Sequence, residues 1–427
     1  MIKKVLFVLI LVICCMFTGC DKKNKIDYQD KYIEGQDFQY MFLGNTYENG
    51  SSMAETKDGY YKLMNSYIYY IEKSTMNAVP LCGKTDCLHE NENANHRDTC
   101  NAYVPSQDGY LNLYHDMLYY RTLEYDKEER FTYSVFYKIS LDGSKRDRVC
   151  QVKDENVQLW MLHRGKIFFT TKKNGKDKKE HIVLKSIDLE NNNKIANVYF
   201  LEDIYSGEVQ DLTAYGNYVY LYVNGFNDEI DFENKTQKEW EKKYENRWIA
   251  YQLQSGEKKE LFLNQKEKNI TKRVVQRIVF WQNQIFYSYY DLDEKENKWI
   301  YKCELDGSKE NKWMELKNSK DSFVADQQYC YIYNTWHDEV ANEKERPMMQ
   351  VYDTSGNLID SFEISASPYY QFAPGSKQYF WCKYSEETQD SLVYIDKKSI
   401  GKLNGNKIDV KLAYTIKHLE DVPTEIE

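Results

Sequence analysis

The sequence predicts an all-β chain folded as a β-propeller, with seven blades on the anchor count and six or eight also open. Three observations carry this expectation. The chain holds 39 Tyr against 6 Pro and 19 Gly, and Tyr suits the half-buried pleated surface of a strand. A turn followed by an aromatic strand recurs at intervals of 45 to 52 residues, with a single interval of 66. A Leu-Asp-Gly-Ser-Lys turn stands unchanged at Leu141–Lys145 and at Leu305–Lys309. Several short strands per unit at that period fit propeller blades. Separate Tyr-rich sandwich domains are the competing arrangement, and the even spacing with a shared turn counts against them.

The chain begins with Lys3 and Lys4, an apolar run from Val5 to Phe17, and then Thr18-Gly19-Cys20. A bilayer-spanning helix needs about twenty apolar residues, so residues 1–19 read as an export signal rather than a span; an uncleaved N-terminal anchor is the alternative. The small pair before Cys20 resembles the lipobox of bacterial lipoprotein signal peptides, with Phe17 where that motif usually carries Leu. The resemblance implies lipidation of Cys20 and cleavage after Gly19. Two acyl chains are what stable anchoring requires. Residues 20–50 are then expected as the lipidated Cys20, a charged tether to about Gly35, and a closing strand over Phe38 to Leu43. That strand would complete a blade built mainly by the other end of the chain.

Residues 51–418 carry the repeats. Their anchors are Tyr67, Met117, Lys166, Tyr218, Gln284, Tyr329 and Gln378, each heading an aromatic strand. The Asp-Gly turns fall about twenty residues later, with looser forms at Tyr251 to Lys258 and Tyr352 to Asn357. Gly adopts positive φ without a Cβ penalty, so these are hairpins. The long interval belongs to the fourth repeat. There Lys235 to Trp248 is rich in Lys, Gln and Glu, and Trp240 and Tyr244 are four residues apart, so a short helical insertion is expected. Residues 419–427 form an acidic tail.

One constellation carries chemistry. Cys82, Cys87, His89 and Cys100 follow the spacing C-x4-C-x-H-x10-C, with His96 as a spare ligand in the same loop. Three thiols and an imidazole match the tetrahedral set that structural zinc accepts. Export from the reducing cytoplasm favours a disulfide between two of the cysteines instead, and spacing leaves both open. Cys150, Cys303, Cys330 and Cys382 fall on predicted strands and read as small buried hydrophobes. His115, His163 and His181 stand alone beside strands and read as structural.

The lipobox, the Tyr-rich repeats and the segment Leu81, Cys82, Cys87, His89, Cys100, Ala102 together resemble β-propeller surface lipoproteins of low-GC Gram-positive anaerobes. That resemblance implies location and fold and brings no substrate or reaction. Elsewhere no nucleophile elbow, phosphate-binding loop or H-E-x-x-H occurs. A net charge of −10 gives no electrostatic reason to bind nucleic acid. Mean hydropathy of −0.76 excludes a polytopic membrane protein, and 42% hydrophobic content excludes wholesale disorder. Two functions compete. One is a binding or scaffold module at the outer face of the cell membrane, engaging carbohydrate, peptide or a membrane protein. The other is a secreted polysaccharide-active hydrolase or lyase, since propellers host both.

Overall fold

The computed structural model describes residues 28–42, 53–64, 66–87, 89, 99–105, 110–153, 156–174, 180–201, 206–226, 243–262, 273–275, 277–291, 299–316, 321–333, 348–363, 370–375, 377–385, 389–405 and 411–417. The export signal, Cys20, His96 and the acidic tail lie outside the described residues, as does Lys235 to Lys242 of the expected helix.

Seven four-stranded antiparallel sheets span residues 53–80, 112–152, 156–201, 206–261, 278–315, 322–363 and 370–417. Each is a meander of consecutive strands, so every blade is built from its own stretch of chain. A two-stranded ladder, Arg273–Val274 with Tyr290–Asp291, adjoins the fifth. The first strand of each blade lines the axis: those of blades 1 to 4 touch in sequence, as do those of blades 5 and 6.

The repeated turn explains how neighbouring blades dock. Each Asp-Gly turn joins the third strand of a blade to its fourth, and the Asp side chain accepts from the backbone N–H two residues on, as Asp142 does from Ser144 at 3.0 Å and Asp306 from Ser308 at 2.9 Å. The carbonyl just before that Asp receives a tyrosine from the preceding blade. Tyr61 Oη donates to the Leu141 carbonyl at 3.1 Å, and Tyr220 Oη to the Leu305 carbonyl at 2.9 Å. Other joints use Asn193 to the Val149 carbonyl, Gln282 to the Thr354 carbonyl, and Asp360 accepting from Gly401, Leu403 and Asn404. Blade 7 meets blade 1 through Tyr60 and Trp381, whose rings lie edge to face at 4.9 Å. Among the described residues blades 7 and 1 share no sheet and meet by aromatic packing, at a separation typical of such pairs.

Two sequence expectations are corrected. Tyr40–Phe42 is one turn of 3-10 helix, not a closing strand. Lys243 lies in a turn and Tyr244–Gln252 is a strand of blade 4, so Tyr244 and Trp248 are not helical. The Tyr67 anchor heads an aromatic strand, Tyr67–Glu72, which is the third of blade 1, after Gly59–Met64.

Residues 28–42 take over at the axis. They run across the ring face formed by the hairpins between first and second strands. Arg164 N–H donates to the Gln36 carbonyl, and the Gly375 N–H to Met41, each at 2.9 Å. Gln39 pairs with the Glu55 backbone in both directions at 2.8 and 2.9 Å. Tyr40 packs edge to face on Tyr215 and Phe280, and Phe42 on Tyr60. This short segment thus touches blades 1, 3, 4, 5 and 7 across that face of the ring.

His163 couples the cap to the ring. Its Nδ1 accepts from the Phe38 N–H at 3.0 Å, which leaves Nε2 to donate to the Gly216 carbonyl at 2.8 Å. Burial lowers its pKa, with Asp37 and the Gly216 bond opposing and Arg164 assisting. Unfolded histidine protonates near 6.5. Between that value and the lower folded one, only the unfolded chain gains the proton, so stability falls as pH drops through this window. Melting temperatures between pH 7.5 and 5.5 should fall more steeply in the native chain than in His163→Gln. Equal slopes would remove His163 from the acid response.

Candidate metal centre

The fourth strand of blade 1, Ala78–Pro80, ends where Leu81 N–H reaches the Ile68 carbonyl at 2.8 Å. Leu81 is buried, and Cys82 follows at the exit. The chain turns at Lys84, whose carbonyl accepts from Cys87 N–H at 3.4 Å, and His89 takes a left-handed φ of 57°. The second strip is Cys100–Val104. Its Ala102 carbonyl accepts from Ile68 N–H at 2.9 Å, and Val104 N–H donates to Ser66 at 2.7 Å. Both strips meet the blade 2 turn. Gly83 N–H reaches the Gly143 carbonyl at 3.2 Å, and Asn101 Nδ2 bonds the Gly143 and Ser144 carbonyls at 2.8 and 3.2 Å. Arg146 adds bonds to the Cys100 and Tyr103 carbonyls.

This folding brings all four sequence-singled residues together. The ligand atoms of Cys82, Cys87, His89 and Cys100 lie within 4.8 Å of one another, with Cys100 buried and the others half-buried. A tetrahedron with metal–sulfur bonds of about 2.3 Å has edges of about 3.8 Å, so a small contraction completes it. All three cysteines are free thiols. The Nε2 of His89 is buried without a hydrogen-bond partner, a state that costs free energy unless something binds it.

The sulfurs differ in acidity. Burial works against ionising Cys82, but N–H groups of Lys84 and Asn101, with His89 and Cys87, bond its sulfur and bring it down to about 7. Burial pushes Cys100 up to about 12, with Cys87 and Cys82 adding to the rise. A bound cation overrides this order, because coordinating thiols are deprotonated outright. By contrast burial alone lifts Cys150 to about 12, and Cys303 follows, burial leading. Cys303, Cys330 and Cys382 are buried, as the strand reading expected, whereas Cys150 on the outer strand of blade 2 is only half-buried. Sequence reasoning missed Asn101 and Arg146, which fasten the site to blade 2. Asn101 stood as the spacer of Cys-x-Ala and Arg146 as the residue after the repeated turn.

No protein-family model and no curated relative matches the sequence. Solved structures with a similar trace include the β-propeller domain of the Trilobed protease from Pyrococcus furiosus, at 13% identity and TM-score 0.42 over 70% of this chain and 79% of that one. An acylaminoacyl peptidase from Pyrococcus horikoshii gives 13% and 0.40 over 71%, and here the chain spans 44% of the relative's length. Oligogalacturonate lyase from Vibrio parahaemolyticus gives 10% and 0.46, over 86% of this chain and 92% of that one.

Proposed function

We propose that this protein is a lipid-anchored extracellular lipoprotein whose propeller serves as a binding or scaffold module on the outer face of the cell membrane. The observation that carries the reading is the path of residues 28–42 across the hairpin face of the ring. Seven residues lie between Cys20 and Tyr28, eight Cα–Cα steps. Those steps reach at most about 29 Å when extended, so an acylated Cys20 keeps the capped face towards the lipid. The opposite face is then the one offered to carbohydrate, peptide or a membrane-protein partner.

Cys20→Ala should release the protein to the medium or leave a larger uncleaved precursor. Unchanged mass together with unchanged detergent partitioning would end the anchoring reading. For the orientation, energy transfer to a lipid-borne acceptor should be stronger from a fluorophore at Gln282→Cys, on the hairpin face, than at Lys127→Cys on the other. Equal transfer contradicts it. Screening the purified protein against cell-wall fragments and glycans tests for the ligand.

A polysaccharide-active hydrolase or lyase is the competing reading. Burial lifts the Asp211 carboxyl to about 6, with Arg277 opposing, which makes it the residue to test. Release of sugar ends from glycans that disappears in Asp211→Asn would favour that reading.

A further inference from the structure

We propose that Cys82, Cys87, His89 and Cys100 hold one zinc ion, and that this ion clamps blade 1 to blade 2. The four ligand atoms already stand within 4.8 Å of one another, and the chain supplies one from each of four residues on two separately docked strips. Cys82, Cys87 and His89 come from the strip leaving blade 1, and Cys100 from the strip that returns along Ile68. A disulfide would join two sulfurs, leave the third as a free thiol, and leave the buried His89 Nε2 still without a partner. One tetrahedral cation satisfies all four atoms at once.

The charge balance is consistent with the surroundings. Binding exchanges three thiol protons for one Zn²⁺, giving three thiolates and a neutral imidazole around the ion and a net charge of −1. The Lys84 ammonium bonds the Thr99 carbonyl within the same loop, and the Arg146 guanidinium reaches the Cys100 carbonyl at 3.4 Å. Two cations beside the thiolates offset that charge, as outer groups of a metal site do. The ligand set also selects the metal. Three thiolates with one imidazole suit zinc, whereas hard cations seek oxygen. Four protein ligands leave no open position for water, so the centre is structural.

The ion's position decides what it stabilises. Gly83 and Asn101, each next to a ligand, both bond the Gly143 carbonyl of blade 2. Fixing the two strips to each other therefore fixes both to the turn that accepts Tyr61 from blade 1. Removing the ion loosens this joint first.

The full chain, purified in detergent, should carry one zinc by native mass spectrometry and show no two-hydrogen deficit after denaturation. Cobalt substitution should give thiolate charge-transfer bands and the strong visible bands of tetrahedral coordination. Loss of an outer partner alone weakens metal sites about 10–100-fold, so His89→Ala should weaken zinc by more than that. Because the His89 side chain is half-buried in a loop, this variant keeps the blades intact while Cys100→Ser, at a buried position, tests the full loss. Cys150→Ser should keep its zinc. A two-hydrogen deficit within residues 82–100, a metal-free protein that takes up neither zinc nor cobalt, or full zinc retention in both His89→Ala and Cys100→Ser would each overturn the proposal. None of these readouts depends on Cys20 lipidation or on a ligand.

Discussion

Arg164→Met is expected to destabilise the whole ring by about 3–5 kcal/mol, the usual consequence of removing one partner from a buried ion pair. The guanidinium is 1% exposed and the Asp37 carboxylate 0%. Arg164 Nε and Nη2 donate to the two Asp37 oxygens at 2.7 and 3.2 Å, and Nη2 also reaches the Gln29 and Lys31 carbonyls at 2.9 Å. One side chain of blade 3 thereby holds the stretch from Gln29 to Asp37 of the segment that crosses this face of the ring. Met fills much of the volume but leaves Asp37 charged, buried and unpaired, with two carbonyls stripped of their donor. Adding Asp37→Asn should recover part of the loss, since replacing both partners of a buried pair is far cheaper than removing one. Denaturant unfolding of the two single variants and the double one gives the coupling energy. A cycle in which the two losses simply add, or an Arg164→Met midpoint equal to that of the native chain, would show that this pair does not hold the cap.

That pair also marks where reading the sequence stops. Blade number was legible because each unit repeats a local pattern: a turn, then an aromatic strand, then a hairpin whose Gly must take positive φ. The metal set was legible because its ligands fall within nineteen residues, close enough for spacing to constrain geometry. Asp37 and Arg164 are 127 residues apart, in a chain where 29% of residues are charged, and nothing local singles out either one. The cap was read as a strand because a six-residue apolar run has no periodicity that tells a strand from another buried segment. The expected helix failed for a related reason. A spacing of four residues, such as that of Trp240 and Tyr244, places side chains on one face of a helix and equally on one face of a strand, and of the expected segment the described residues from Tyr244 to Trp248 took the strand. The rule that decided between them was pairing with Phe226 and Leu261 across blade 4, which is a non-local fact.

The largest glycine effect is expected at Gly143, in a graded series of three alanine substitutions at equivalent turns. Gly143, Gly307 and Gly256 have φ of +69°, +76° and +73°, so each variant shares a left-handed backbone cost of roughly 1–2 kcal/mol. They differ in what the added methyl meets. At Gly256 the nearest atom is the Tyr251 hydroxyl at 3.8 Å, ordinary contact, so the loss should stay near that shared cost. At Gly307 the methyl falls 2.7 Å from Leu261 Cδ2, the tip of a side chain that can turn aside, so the loss should be moderately larger. At Gly143 it falls 2.6 Å from the Leu81 carbonyl oxygen and 2.8 Å from the Cys82 nitrogen. Both are backbone atoms, fixed by the bonds of Leu81 to Ile68 and of Gly83 to Gly143 itself. Nothing there can move without opening the blade 1–blade 2 joint, and a loss of roughly 3 kcal/mol or more is expected, in the range set by steric disruption of a packed site. Because Cys82 is the first metal ligand, Gly143→Ala should also weaken metal uptake, whereas Gly307→Ala, at the distant blade 4–blade 5 joint, should leave it unchanged. Thermal melts and zinc content measured on all three variants check both orders together. Equal melting temperatures across the series would mean that backbone strain alone sets the cost, and that the close approach of the two blades contributes nothing.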